Sequence, residues 1–192
     1  MNTNRLEAFT DGVVAIIITI MVLELKPPHE STLAGLRAEA PIYLAYVLSY
    51  VNVGLYWANH HHMLHATDRV DGRVLWANLH LLFWLSLVPF VIRWMDEAGL
   101  APLPTAAYGF VLGMAGIGYA LLRNAIIRAN GPNSAVARAT GKDRKGKASI
   151  ALYVVATALS FAAPLLAIAI YVLVAAMWLI PDRRIERGLA PD

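Results

Sequence analysis

Cysteine is missing altogether from the 192 residues. That absence excludes disulfides, thiolate zinc sites, iron–sulfur clusters and cysteine nucleophiles. Charge is scarce too: Asp, Glu, Lys and Arg make up 15% of the chain, against about 25% in soluble domains. No G-x-S-x-G elbow, Walker phosphate loop or dinucleotide fingerprint occurs, so no enzyme active site is visible and no cofactor is implied. Hydrocarbon stands in their place. Apolar residues are 58% of the chain and the mean hydropathy is +0.55, more than a soluble fold of this size can bury. The expected class is an all-α integral membrane protein.

Apolar stretches cover residues 8–25, 42–64, 74–94, 105–127 and 148–180. The last carries no charge and, as one helix, would run about 50 Å against a hydrocarbon core of ~30 Å. Pro164 lies at its middle. Proline removes a backbone donor and disfavours helix in the residue before it, so the stretch divides into spans 149–162 and 165–180. Lysine and arginine bias tests this count, because basic residues favour cytoplasmic loops. With six spans, Arg5, Arg69, Arg73, Arg123, Arg128, Arg138, Lys142, Arg144, Lys145, Lys147, Arg183, Arg184 and Arg187 share one side, leaving Lys26, Arg37 and Arg93 on the other. Five spans would send the three C-terminal arginines outside. The expectation is therefore a single six-helix bundle over residues 1–192, multi-pass in the cell (inner or plasma) membrane, with both termini cytoplasmic.

The sequence pI of about 9.3 thus becomes an orientation signal and implies no nucleic-acid partner. Residues 130–147, rich in basic and small residues, read as a mobile cytoplasmic loop within reach of anionic lipid. The first span is not expected to be cleaved as a signal peptide. Glu7 and Asp11 accompany Arg5 at its start, and it ends in Glu24-Leu25-Lys26-Pro27-Pro28 with no small-residue cleavage pattern.

The first span brings charge to the membrane edge. At 100° per residue, Asp11 lies about 140° around the helix from Ile16. Ile16, Ile20 and Leu23 form one line down the helix, with Thr19 beside it, and Gly12, Ala15 and Thr19 make an adjoining strip of small residues. Periodicity alone leaves lipid contact, bundle packing and pore lining open. An ionisable residue inside a span needs a partner. The topology puts Trp57, His60 and Asn78 at the depth of Asp11, so a buried network of Arg5, Asp11, Trp57, His60 and Asn78 is expected, architectural or proton-relaying.

His61 and His65, spaced i, i+4, invite a metal reading. No HExxH carboxylate or cysteine completes such a site, and no metal is expected in the protein interior. Gly116-Ile117-Gly118-Tyr119 glances at a potassium-filter sequence, but it sits within a continuous span. Together with Gly109-x-x-x-Gly113 it reads as helix packing.

Arg5-x-x-x-Phe9-Thr10-Asp11, the following Gly12 to Thr19, and Val22-Leu23-Glu24-Leu25-Lys26-Pro27 resemble the signature of the endosomal/lysosomal potassium-channel family, above all its prokaryotic members. The family pattern has Ser where this chain has Thr10. The resemblance extends to Trp57-x-x-His60, Asn78, Pro89-Phe90 and the ending Trp178 to Arg184. It implies six-helix subunits assembled as homotetramers in lipid, around a K⁺-permeable pore lined by the first helix and lacking a carbonyl filter loop. It also implies an apolar constriction at Ile16, Ile20 and Leu23 with Thr19 adjacent. Arg5, Phe9, Thr10 and Asp11 would brace that helix against His60 and its neighbours. Two rivals stand beside this expectation: a proton-conducting or proton-coupled transporter using Asp11 and His60, and a non-conducting membrane assembly protein.

Overall fold

The computed structural model describes residues 3–141 and 143–179. Arg183, Arg184, Arg187, Lys142 and the 180–184 part of the ending motif lie outside the described residues. Within them the chain is all-helical: α1 (Thr3–Leu23), α2 (Leu33–Ala38), α3 (Ala40–His65), α4 (Gly72–Ser86), α5 (Val88–Glu97), α6 (Pro102–Asn130), α7 (Ala135–Thr140), α8 (Arg144–Leu159) and α9 (Pro164–Leu179). Helices α4 and α5 follow one another as a single rod, so six rods cover the six apolar stretches.

Length and composition make three rods able to cross a bilayer: Thr3–Leu23, Gly72–Glu97 and Pro102–Asn130. Helix α3 is as long but carries Asn52, Asn59 and the histidines. Helices α8 and α9 have 16 residues each, about 24 Å of helix against a ~30 Å core.

Local chemistry explains the boundaries. Asp71 caps α4 by accepting from the Val74 amide at 3.0 Å. Pro89 lies in the first turn of α5, where its missing amide donor breaks the α4–α5 rod at Leu87. The chain reverses between Leu159 and Pro164, and the hairpin is tied at its other end by Trp178 Nε1, which donates to Ser149 Oγ at 2.8 Å. The loop expected over 130–147 is partly helical. Ser134 caps α7 through the Ala137 amide, and Asp143 caps α8 through the Gly146 amide at 3.1 Å. The fifth rod therefore starts at Arg144 rather than 149, because a capped first turn can extend past the apolar stretch into basic sequence.

Packing is built around α6, which lies against α4 and α5 on one side and α8 and α9 on the other; α1 rests on α3, α4 and α5. Two glycines permit the closest approaches. At Gly118 a Cβ would come within 3.0 Å of the Leu81 Cα of α4. At Gly109 it would collide with the Tyr171 hydroxyl and sit 2.7 Å from Thr157 Oγ1. Hydroxyls join the helices behind α1: Ser49 Oγ lies 2.9 Å from the Tyr108 hydroxyl, and the Tyr171 hydroxyl donates to the Thr105 carbonyl at 3.2 Å. Gly109→Ala is expected to destabilise the fold by about 1–3 kcal/mol through overpacking. Gly113→Ala, whose Cβ would meet Tyr153 Cβ at 3.3 Å, should cost less; melting in detergent compares the two.

Candidate functional site

Helix α1 divides by face. Leu6, Thr10, Val14, Ile17 and Met21 are buried against the rest of the chain, a spacing of three and four residues that keeps one side inward. The opposite side is bare. Ile16 is 60% exposed, Ile20 41% and Leu23 77%, and Ala8, Gly12, Ala15 and Thr19 are exposed beside them. The Thr19 hydroxyl donates to the Ala15 carbonyl of its own helix at 2.8 Å. The apolar line and the small-residue strip thus point away from the chain's own core.

The rotation of α1 is set by polar contacts near its start. Asn78 of α4 donates from Nδ2 to Thr10 Oγ1 at 2.9 Å, and its Oδ1 accepts from His60 Nε2 of α3 at 2.8 Å. The other ring nitrogen of His60, Nδ1, is buried without a partner among the described residues. Thr10, His60 and Asn78 are all fully buried. One helical face along, Trp57 Nε1 donates to Asp11 Oδ1 at 2.8 Å, and His61 Nδ1 lies 2.6 Å from Glu7 Oε1.

The network expected from sequence is therefore brought together only in part. Thr10, Asn78 and His60 form a buried inner set, while Asp11 and Trp57 form a separate, half-exposed pair. Arg5 and Phe9 take part in neither. Both are exposed, because they lie about 140° and 100° around the helix from Thr10 and fall on the outward side with Ile16 and Leu23. They do not brace α1 against its own chain. His61 is turned to Glu7, and among the described residues no cluster of three His, Asp or Glu side chains is placed to hold a metal ion.

The far end of α1 holds a second polar cluster that the sequence reading missed. Glu24 Oε2 meets Arg93 Nη1 of α5 at 3.2 Å, and Arg93 Nε donates to Glu97 Oε1 at 3.1 Å. Lys26 Nζ lies 3.7 Å from Glu97 and 3.9 Å from Asp96. Its only sequence trace is the charge closing the first span, and nothing in that charge names α5 as its partner.

Comparison with known proteins adds the following. The family model described as endosomal/lysosomal potassium channel TMEM175 matches residues 5–89. A potassium channel of Chryseobacterium sp. (strain P1-3) is 51% identical over 98% of both chains. An endosomal/lysosomal proton channel TMEM175 of Danio rerio is 39% identical over 43% of this chain and 18% of its own. The crystal structure of a lysosomal potassium-selective channel TMEM175 homolog from Chamaesiphon minutus superposes with a TM-score of 0.80, at 28% identity and covering 98% of each chain.

Asn78→Ala removes the partner that Thr10 and His60 share and should destabilise the protein by about 1–3 kcal/mol per buried group left unpaired. Thr10→Ser should melt near wild type and Thr10→Val below it. Asp11→Ala, which frees only a half-exposed indole, should cost less than Asn78→Ala in the same detergent melts.

Proposed function

Since the chain belongs to the endosomal/lysosomal potassium channel TMEM175 family, we propose that it is a potassium-permeable channel of the cell membrane, passing K⁺ passively between four copies of α1 in a homotetramer. The observation that carries this reading is the bare line of Ile16, Ile20 and Leu23 on a helix whose other face is pinned by Thr10, Asn78 and His60. A lone subunit leaves this line without a neighbour. In a fourfold ring it becomes three successive apolar collars, with Thr19 adjacent. The strip of Ala8, Gly12, Ala15 and Thr19 supports such a ring, because small residues let helices approach closely. Arg5 and Phe9, on the same outward side, then act between subunits near the cytoplasmic mouth.

Gating by dewetting fits these collars. A narrow apolar constriction excludes water and ions until it widens. Passive preference for K⁺ over Na⁺ then follows from the lower cost of partly dehydrating the larger ion. The termini and the basic segment around α7 face the cytoplasm, by the lysine and arginine bias.

Proton conduction is the second reading, favoured by the name of the Danio rerio relative. Asp11 and His60 would carry it. Asp11 is bonded to Trp57 and His60 to Asn78, so a relay between them needs a further link.

Purified protein in liposomes under a K⁺ gradient is expected to pass K⁺ faster than Na⁺. No K⁺ flux would sink the channel reading, and pH-driven flux that persists without K⁺ would favour the relay. Ile16→Asn should wet the first collar, raising leak and lowering the K⁺ to Na⁺ ratio. Unchanged flux from a normally assembled Ile16→Asn protein would remove Ile16 from the pore.

A further inference from the structure

Among the described residues, polar side-chain contacts attach α1 to other helices near its two ends. At the cytoplasmic end the attachment is buried in the Thr10, Asn78 and His60 set. Between Asp11 and Glu24, among the described residues, the side-chain hydrogen bond on α1 is that of Thr19 to its own helix. At the outer end Glu24 is held by Arg93, and the Tyr43 hydroxyl donates to the Lys26 carbonyl at 3.2 Å.

On the inward face Ile17 and Met21 are buried against the bundle, but that packing leaves the α5 side open. On the α5 side a groove of about 470 Å³ separates Ile16 and Ile20 from Pro89 and Phe90, and Glu24 and Arg93 lie in its lining. Successive residues differ by about 100° around a helix. Glu24 can therefore grip α5 while Leu23, its neighbour in sequence, faces outward. Arg93 and Glu97 are exposed, so the grip is open to solvent ions. An exposed pair of this kind biases a two-state equilibrium by about 1.4- to 5-fold. Arg93 also has Glu97 one turn along α5 and stays paired when Glu24 leaves.

We propose that Arg93 and Glu24 form a releasable latch that holds the outer half of α1 against α5 and thereby sets the width of the apolar constriction. Arg93 is then a positioning residue for permeation that never touches the ion. The latch rests on the channel reading above. The buried cytoplasmic attachment is the pivot, and the groove beside α5 is the space that the outer half of α1 leaves or enters as it swings.

The same charges would also act through their field at the pore mouth, and the two effects have opposite signatures. Arg93→Gln, Glu24→Gln and the double variant are compared with wild type in K⁺-loaded liposomes at low and high salt. The latch predicts that both single variants change K⁺ flux in the same direction, by about 1.4- to 5-fold. The double variant should change it no further than either single one, since the two residues share one interaction. High salt should move wild type toward the variants. A rise with Arg93→Gln, a fall with Glu24→Gln and additivity in the double variant would overturn the latch. So would unchanged flux in all three.

Absent wild-type flux would overturn the channel reading and the latch with it, whereas a conducting wild type isolates the latch. Should a neutralised variant fail to assemble, the cysteine-free chain offers a second route. Glu24→Cys with Arg93→Cys, bridged by a reversible bis-methanethiosulfonate linker, is expected to change its flux on bridging and to return to the unbridged flux with reductant. Flux indifferent to the bridge would overturn the latch.

Discussion

Asn78 stands where α1, α3 and α4 meet and uses both ends of its amide at once, donating to Thr10 and accepting from His60. In a low-dielectric interior an unpaired amide, hydroxyl or ring nitrogen is costly, so this three-residue chain fixes more than a distance. It fixes the rotation of α1. With Thr10 inward, Val14, Ile17 and Met21 follow it on the same side, and Ile16, Ile20 and Leu23 are forced outward. A turn of α1 by 100° would break the Asn78 contacts and bring either Arg5 or the Glu7 and Asp11 carboxylates toward the core. The polar hub supplies the specificity that greasy packing lacks.

The rest of the chain behaves as a support for that helix. Close approaches at Gly109 and Gly118, with the hydroxyl links among α3, α6, α8 and α9, tie the back of the bundle together. Along its middle, among the described residues, helix α1 has no polar side-chain link to another helix, and Val14, Ile17 and Met21 hold that stretch by apolar packing alone. Apolar contacts are non-directional, so they resist a small displacement less than hydrogen bonds do.

Much of this architecture was legible in the chain itself. Six apolar stretches, the division at Pro164 and the alignment of Ile16, Ile20 and Leu23 on one side of the first helix all follow from hydropathy, proline chemistry and helical period, whereas periodicity left open what that side faces. Depth matching also placed Asn78 and His60 near the first motif. It failed for Arg5 because depth says nothing of azimuth: residues at one level can sit on opposite sides of a helix. The break at Leu87 was hidden because the α4–α5 rod stays apolar through it, and Pro89 was read as part of a motif instead of a helix start. The first turn of α8 lay in sequence too basic to look like a span. Glu24 and Arg93 are nearly seventy positions apart, and no periodicity links a charge to a partner on another helix.

Thr19 has a consequence of its own. Its proton is already committed to the Ala15 carbonyl, so what the hydroxyl offers on the bare face of α1 is oxygen lone pairs alone. Under the proposed fourfold arrangement these form a single acceptor rung between two oily storeys. A cation passing from Ile16 to Ile20 would find partial resolvation there. An anion would find no donor in that hydroxyl, so the rung would act as a sign filter built from one hydroxyl per subunit, with no fixed charge.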